Sequence, residues 1–142
     1  MILPDINLLV YAHNEAAPQH ALAREWWEEL HGRSQPIALP WAVALGFVRL
    51  VTHPRILVEP LTPAQALDRV DSWLGCDHVQ VIDPGERHLA IVRRLFEATG
   101  VGGALTTDTH LAALAIEHQC ELHSNDCDFS RFPGLRWRNP LA

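Results

Sequence analysis

TTDTHLAALAIEHQCELHSNDCDFSRFP, residues 106–133, is the stretch whose reading decides the fold. Leu111, Leu114 and Ala115 recur at helical spacing behind Thr107, a residue type that caps helices, so a helix is predicted with Asp108 in its first turn. Glu121, Leu122 and His123 then read as a brief strand. Ser124, Asn125, Asp126, Cys127 and Asp128 follow as a polar turn holding two acids. Helix, strand and acid-bearing turn thus succeed one another in a short span, and the rest of the chain repeats that alternation.

Working outward, residues 2–4 are predicted as a short buried strand that delivers Asp5, and residues 7–11 as a short helix ended by His13 and Asn14. Over residues 18–31, Leu22, Trp26 and Leu30 recur every fourth position with Ala23 and Trp27 beside them, so a second helix is expected, stopped by Gly32. Residues 36–39 read as a strand and Trp41 to Val51 as a mostly apolar helix. Thr62, Pro63 and Gln65 form a helix start: a capping hydroxyl, proline at the first helical position and glutamine three after the cap. Ala66, Leu67, Val70, Trp73 and Leu74 supply its apolar stripe. A third strand is expected over residues 79–82. Asp83 should cap the next helix, with Leu89, Val92 and Phe96 inward and Gly100 closing it. Arg136 to Arg138 read as a fifth strand. Strands alternating with helices of about 10–15 residues indicate an α/β fold with a mainly parallel central sheet flanked by helices. A chain of 142 residues is expected to form a single domain over residues 1–142.

Composition narrows the function classes. With 48% hydrophobic residues the chain can bury a core and is not composed like a disordered segment. It has neither an apolar run of about 18 residues nor a basic-then-apolar leader, so no membrane association is expected. Cys76, Cys120 and Cys127 are an odd number without a framework, which suits a reducing cytoplasm. A net charge of −6 argues, taken alone, against a nucleic-acid partner. All eleven basic residues are arginine. The missing lysine reads first as a mark of GC-rich coding, yet the guanidinium fork suits phosphate. Arg49, Arg55, Arg93, Arg94, Arg131, Arg136 and Arg138 are candidate phosphate contacts. The five tryptophans fall mostly at stripe positions, so core is expected rather than base stacking, with Trp137 the least decided.

Ligands of parallel sheets sit beyond the carboxyl ends of the strands. Asp5 follows the first strand, Asp126 follows the fourth, and Asp108 opens a helix, which places all three at one rim. Ionised carboxylates repel one another. A hard divalent cation such as Mg²⁺ resolves that repulsion with oxygen ligands and retained waters, one of which can attack a phosphodiester. Each acid also has a purely structural use. Asp5 can cap a helix, Asp108 can meet the positive end of a helix dipole, and Asp126 and Asp128 can be turn residues. Asn7 can hydrogen-bond a ligating Asp5, and Ser124 can hold a water or a phosphate. A non-enzymatic alternative is a zinc site of His118, Cys120, His123 and Cys127, whose residue types suit zinc although their spacing is not of the C-x₂-C kind.

Three segments together resemble one family. Asp5-x-Asn7, the D-x-x-L-A-A-L-A run from Asp108 to Ala115, and S-N-D-C-D-F from Ser124 to Phe129 are similar to PIN-domain ribonucleases, more narrowly to the VapC toxins of bacterial toxin–antitoxin pairs. Pro40-Trp41, F-V-R-L-V-T-H-P-R from Phe47 to Arg55 and R-F-P-G-L-R-W-R-N-P from Arg131 to Pro140 extend the likeness over nearly the whole chain. The resemblance implies a PIN-like α/β/α sandwich and a site for Mg²⁺, with Mn²⁺ as a substitute. It implies that Asp5, Asp108 and Asp126 are catalytic metal ligands in an endoribonuclease. It also implies transfer RNA as the substrate, homodimerisation, and inhibition by a VapB-type antitoxin encoded alongside. One departure stands out. The family usually carries a glutamate in the helix spanning Trp41 to Val51, and Gly46 occupies that slot. Either three aspartates suffice, or Asp128 substitutes, or cation binding is weak. A degenerate PIN module that binds RNA or a partner without cutting is the alternative.

Overall fold

Residues 1–100 and 102–142 are described by the computed structural model. Ile2, Leu3 and Pro4 form the buried strand β1, and the chain turns at once into helix α1 (Ile6–His13) because the Asp5 carboxylate caps it, accepting the Ile6 N–H at 2.8 Å. Helix α2 (His20–Gly32) follows, then the two-residue strand β2 (Ile37–Ala38) and helix α3 (Trp41–Val51). Helix α4 (Pro63–Leu74) opens with the expected capping box: Thr62 Oγ1 accepts the Gln65 N–H at 3.1 Å and the Gln65 side chain accepts the Thr62 N–H at 2.9 Å. Strand β3 (Val79–Gln80), helix α5 (His88–Thr99), a 3₁₀ turn (Gly103–Leu105) and helix α6 (Thr106–Glu117) lead to β4 (Glu121–His123), a second 3₁₀ turn (Cys127–Arg131) and β5 (Arg136–Arg138).

The strands lie in the order β3-β2-β1-β4-β5 and every described pair is parallel. The expected mainly parallel sheet is therefore wholly parallel among the described residues. Crossovers in such sheets are right-handed. The connections β1→β2→β3 run one way and β3→β4 returns past the starting strand, so α1 to α4 cover one face and α5 and α6 the other. The order reverses between β1 and β4, and that is where an open parallel sheet forms its crevice. The register pairs Pro4 with His123, so Asp5 and Ser124, the next residues, leave the sheet side by side.

Burial corrects three inward-facing assignments. Leu22, Leu67 and Leu89 are 54%, 50% and 68% exposed. In their helices the buried positions are Ala23, Trp26, Trp27 and Leu30; Ala66, Val70 and Trp73; and Ile91 and Leu95. Large aromatic rings set the rotation of α2 and α4. Trp73 stands edge-on to Trp27 at 5.4 Å and meets Phe47 of α3 at 4.8 Å. Trp26, Trp27 and Trp73 are core, as expected, whereas Trp41 is exposed and Trp137 is half-buried with its indole N–H donated to the Ser124 carbonyl at 3.0 Å.

Two helix starts also differ. Asp83 does not cap α5, which begins five residues later. Its entrance is held instead by Glu117 of α6, whose carboxylate accepts the N–H groups of Gly85 at 2.7 Å and Arg87 at 3.0 Å. A Cβ on Gly85 would stand 2.6 Å from that carboxylate, so a side chain there would push the Glu117 carboxylate aside from this hydrogen bond. Thr107 is likewise not a cap: α6 begins one residue earlier, continuing the 3₁₀ turn, and Asp108 sits in its first turn as expected.

Candidate active site

Asp5 and Asp126 come from the ends of adjacent strands and are tied by one hydroxyl. Ser124, fully buried, donates its Oγ hydrogen to Asp5 Oδ2 at 2.7 Å and accepts the Asp126 N–H at 3.0 Å. The Asp126 carboxylate accepts the Asp128 N–H at 2.9 Å, which turns the chain into the 3₁₀ segment that follows. Both structural uses of these residues are thus realised: Asp5 is a helix cap through Oδ1, with Oδ2 held by Ser124, and Asp126 is a turn residue through Oδ1.

Asp108 approaches from α6. Burial first, and then the carboxylates of Asp5, Asp126 and Asp128, push its carboxyl up to about 6. Burial also pushes the Asp5 carboxyl up, while the Ser124 hydroxyl and the Ile6 N–H pull it down and Asp126 adds repulsion. The sequence-derived site is therefore brought together at one rim, with Asp128 as a fourth acid beside it. Among the described ion pairs none involves Asp5, Asp108 or Asp126; Asp128 stands 4.0 Å from Arg131, both exposed. Acids gathered without a basic partner, with Asp5 and Asp108 raised by burial and by neighbouring carboxylates, are a donor set for a hard divalent ion. Their oxygens are not drawn into a tight cage: no three of these acids place ligand atoms within 4.8 Å of one another. That spread fits Mg²⁺, which keeps several waters and takes only one or two carboxylates directly.

Asn7 lies exposed in the first turn of α1. Asp5 takes its hydrogen bonds from Ile6 and Ser124. Arg136 and Arg138 line a cleft of about 530 Å³ together with Met1, Glu25, Trp26 and Glu121, and none of the three aspartates borders it. The zinc reading of His118, Cys120, His123 and Cys127 does not hold. His118 Nε2 is 2.7 Å from the Asp83 carbonyl, and His123 is engaged by the Trp26 indole at 3.0 Å and by Glu121 at 2.7 Å, so these histidines serve as buttresses in separate places. That Trp26–His123–Glu121 chain behind β4 was not legible in the sequence; its first link joins residues 97 apart.

Gly46 has a clear physical reason. It is buried in α3 against α1, and a Cβ there would meet Ile6 Cδ1 at 2.6 Å and Cγ1 at 3.0 Å. Ile6 fills the volume that a side chain at position 46 needs, so no acid can reach the rim from this slot while Ile6 keeps its place. Alanine should therefore lose stability despite being the better helix former. The propensity gain is about 1 kcal/mol and overpacking costs about 1–3 kcal/mol, so Gly46→Ala is expected to destabilise by about 1 kcal/mol. In an Ile6→Ala background the same change should stabilise. Denaturant unfolding of the four proteins gives the interaction energy between the two positions. A Gly46→Ala protein more stable than wild type would remove this account of the missing acid.

The PIN-domain family model matches residues 2–135. The chain is 43% identical over 141 residues to Ribonuclease VapC33 of Mycobacterium tuberculosis, covering 99% of each protein. It is 40% identical to Ribonuclease VapC43 of the same species, covering 99% of this chain and 96% of that one. Among solved structures, VapBC2 from Rickettsia felis bound to a promoter DNA fragment superposes with a TM-score of 0.69 at 22% identity, over 98% of both chains. FitAcB from Neisseria gonorrhoeae superposes with a TM-score of 0.66 at 20% identity, over 99% of this chain and 98% of that one. The wholly parallel sheet between helices is thus the PIN architecture. The chain belongs to the PIN-domain family and, within it, to the VapC ribonucleases. Enzymes of this family generally depend on a divalent metal ion. No described helix is long and apolar enough to cross a membrane.

Proposed function

We propose that this chain is the toxin of a toxin–antitoxin pair and cuts RNA endonucleolytically, with Asp5, Asp108 and Asp126 holding Mg²⁺, or Mn²⁺ in its place. The observation that carries the reading is Asp108: an acid raised to about 6 by burial and three neighbouring carboxylates, with no basic partner among the described ion pairs. Asp5, Asp108 and Asp126 would hold the divalent cation, which when bound would supply charge neutralisation at the rim, attraction for an RNA phosphate and a lowered pKa for a water that serves, deprotonated, as nucleophile. The protein's own part is to hold the ligands. Ser124 fixes Asp5 Oδ2 relative to the Asp126 backbone, and the α6 dipole meets Asp108 in its first turn. Asp128 adds to the negative charge that raises Asp108.

The structural neighbour from Rickettsia felis is VapBC2 bound to a DNA fragment from its promoter. We extend that to this chain as binding of a small VapB-type antitoxin encoded alongside, and assign homodimerisation to the exposed Trp41 and Leu45, one helical turn apart on α3. Transfer RNA is the proposed substrate class. A second reading, an RNA- or partner-binding module that does not cut, draws on Gly46, which leaves α3 without an acid.

The test is cleavage of RNA by purified protein with Mg²⁺ or Mn²⁺, repeated in EDTA, with sequencing of RNA 5′ ends after induced expression to identify the target. Cleavage should need the metal and stop in EDTA. Full activity in EDTA would refute the metal role, and absence of turnover with either ion would establish the binding module instead.

A further inference from the structure

At the amino ends of the strands, the rim opposite the acids, three metal-binding side chains converge. His31 closes α2 just ahead of β2, and Cys76 and His78 lie in the connection from α4 to β3. His78 Nε2 is 2.8 Å from His31 Nδ1, and one ring nitrogen of each histidine and Cys76 Sγ all lie within 4.8 Å of one another. Among the described residues no other three histidine, cysteine or acidic side chains come so close. We propose that His31, Cys76 and His78 form a second metal site, for a borderline-soft transition-metal ion of which Zn²⁺ is the best match, independent of the acidic rim.

The donor set excludes the ion proposed for the other rim. Imidazole and thiolate suit zinc and its neighbours, whereas Mg²⁺ takes oxygen. Zinc–nitrogen bonds of about 2.0–2.1 Å at the tetrahedral angle put two ligating nitrogens about 3.3 Å apart, so the histidines need to part by only about half an ångström. A neutral imidazole has one N–H, so one of the two facing nitrogens carries the proton between them and the other accepts it. Metal binding needs a lone pair on both, so the donor ring must carry its proton on its other nitrogen when the ion is bound. His31 Nε2 is buried with no hydrogen-bond partner, against the Trp27 ring 4.4 Å away, which makes a second proton on that ring costly. Burial and the neighbouring His78 accordingly hold the His31 imidazole below its ordinary range. Cys76 donates its S–H to the Ser72 carbonyl at 3.4 Å. Binding removes that proton to solvent: the thiol and Zn²⁺ give a zinc thiolate and H⁺. Cys76 is half-exposed, so a fourth position is open to water. The bound ion would clip the end of α2 to the edge strand β3, since the His78 carbonyl already accepts the Ile37 N–H of β2 at 2.9 Å.

Co²⁺ is the probe, because a thiolate ligand gives it a near-ultraviolet charge-transfer band that carboxylates do not. Titration of the full, untagged chain should develop this band to one equivalent, with Zn²⁺ displacing the cobalt and Mg²⁺ failing to. The band should vanish in Cys76→Ser, weaken by at least about tenfold in affinity in His78→Gln, and persist in Cys127→Ser and in Asp108→Asn. Zn²⁺ should raise the unfolding temperature of wild type but not of Cys76→Ser, which keeps its metal-free unfolding temperature and its RNA cleavage. No band, a band surviving Cys76→Ser, or a band lost in Cys127→Ser would overturn the proposal. The Asp108→Asn arm keeps this outcome separate from the fate of the acidic site.

Discussion

Asp5→Asn and Asp108→Asn should each reduce RNA cleavage by more than about 100-fold, beyond the 10–100-fold that loss of even an outer partner of a metal ligand costs. Each change deletes a charge from the cation site with almost no change of volume. Asparagine caps helices as well as aspartate does, so the Ile6 N–H keeps an acceptor at position 5 and α1 should stay intact. Stability in EDTA should move the opposite way from activity. The Asp108 carboxyl sits at about 6 in the folded protein against an ordinary value of 3.8. The folded state therefore holds that proton longer than the unfolded chain, and metal-free stability falls as pH rises from about 4 through about 6, then levels. Asp108→Asn should be as stable as wild type at low pH, more stable above pH 6, and free of that fall. Added Mg²⁺ should raise the unfolding temperature of wild type at pH 7.5 and leave the variant unmoved. A cap-only role predicts a variant that cuts RNA normally and loses at most about 1 kcal/mol of stability.

Ser124→Ala is expected to have the next largest effect, and on stability and activity together. The hydroxyl is wholly buried, donates to a buried carboxylate and accepts a backbone N–H. Removing it strands both partners, which costs about 1–3 kcal/mol where the groups stay dry. The Asp5 carboxyl, already pushed up by burial, loses a hydrogen bond that holds it down, so its affinity for a proton rises further. Cation binding then competes with that proton up to a higher pH. The midpoint of the pH–rate profile should shift upward, and cleavage at neutral pH should fall by about 10–100-fold. Excess Mn²⁺ or higher pH should recover part of the loss. A variant of normal stability with an unshifted pH profile would show that Ser124 neither supports Asp5 nor orders Asp126.

Much of this was legible in the sequence because it depended on local signals. The alternation of short apolar runs with helical stripes indicated the parallel sheet, and position after a strand set Asp5 and Asp126 at the carboxyl ends of the strands. What escaped depended on distant partners. Nothing near Gly85 reveals that Glu117, more than 30 residues on, would cap α5 and leave Asp83 idle. Gly46 reads locally as a gap in an acidic motif, and only the approach of α3 to α1 shows Ile6 in the vacated space. Leu22 and Leu67 fit helical stripes that the helices do not bury, since packing of Trp27, Trp73 and Phe47 fixes how α2, α3 and α4 are turned, and Leu89 likewise lies outside the buried side of α5, which is Ile91 and Leu95. The three metal-binding residues at the far rim escaped for the same reason: His31 is 47 residues from His78.

The most direct test of the central claim is an anomalous-difference map from crystals of the wild-type chain soaked in Mn²⁺ at neutral pH. A peak within bonding distance of carboxylate oxygens of Asp5, Asp108 or Asp126, and framed by all three, is the predicted result. No peak at that rim, or a peak held only by other residues, would contradict it.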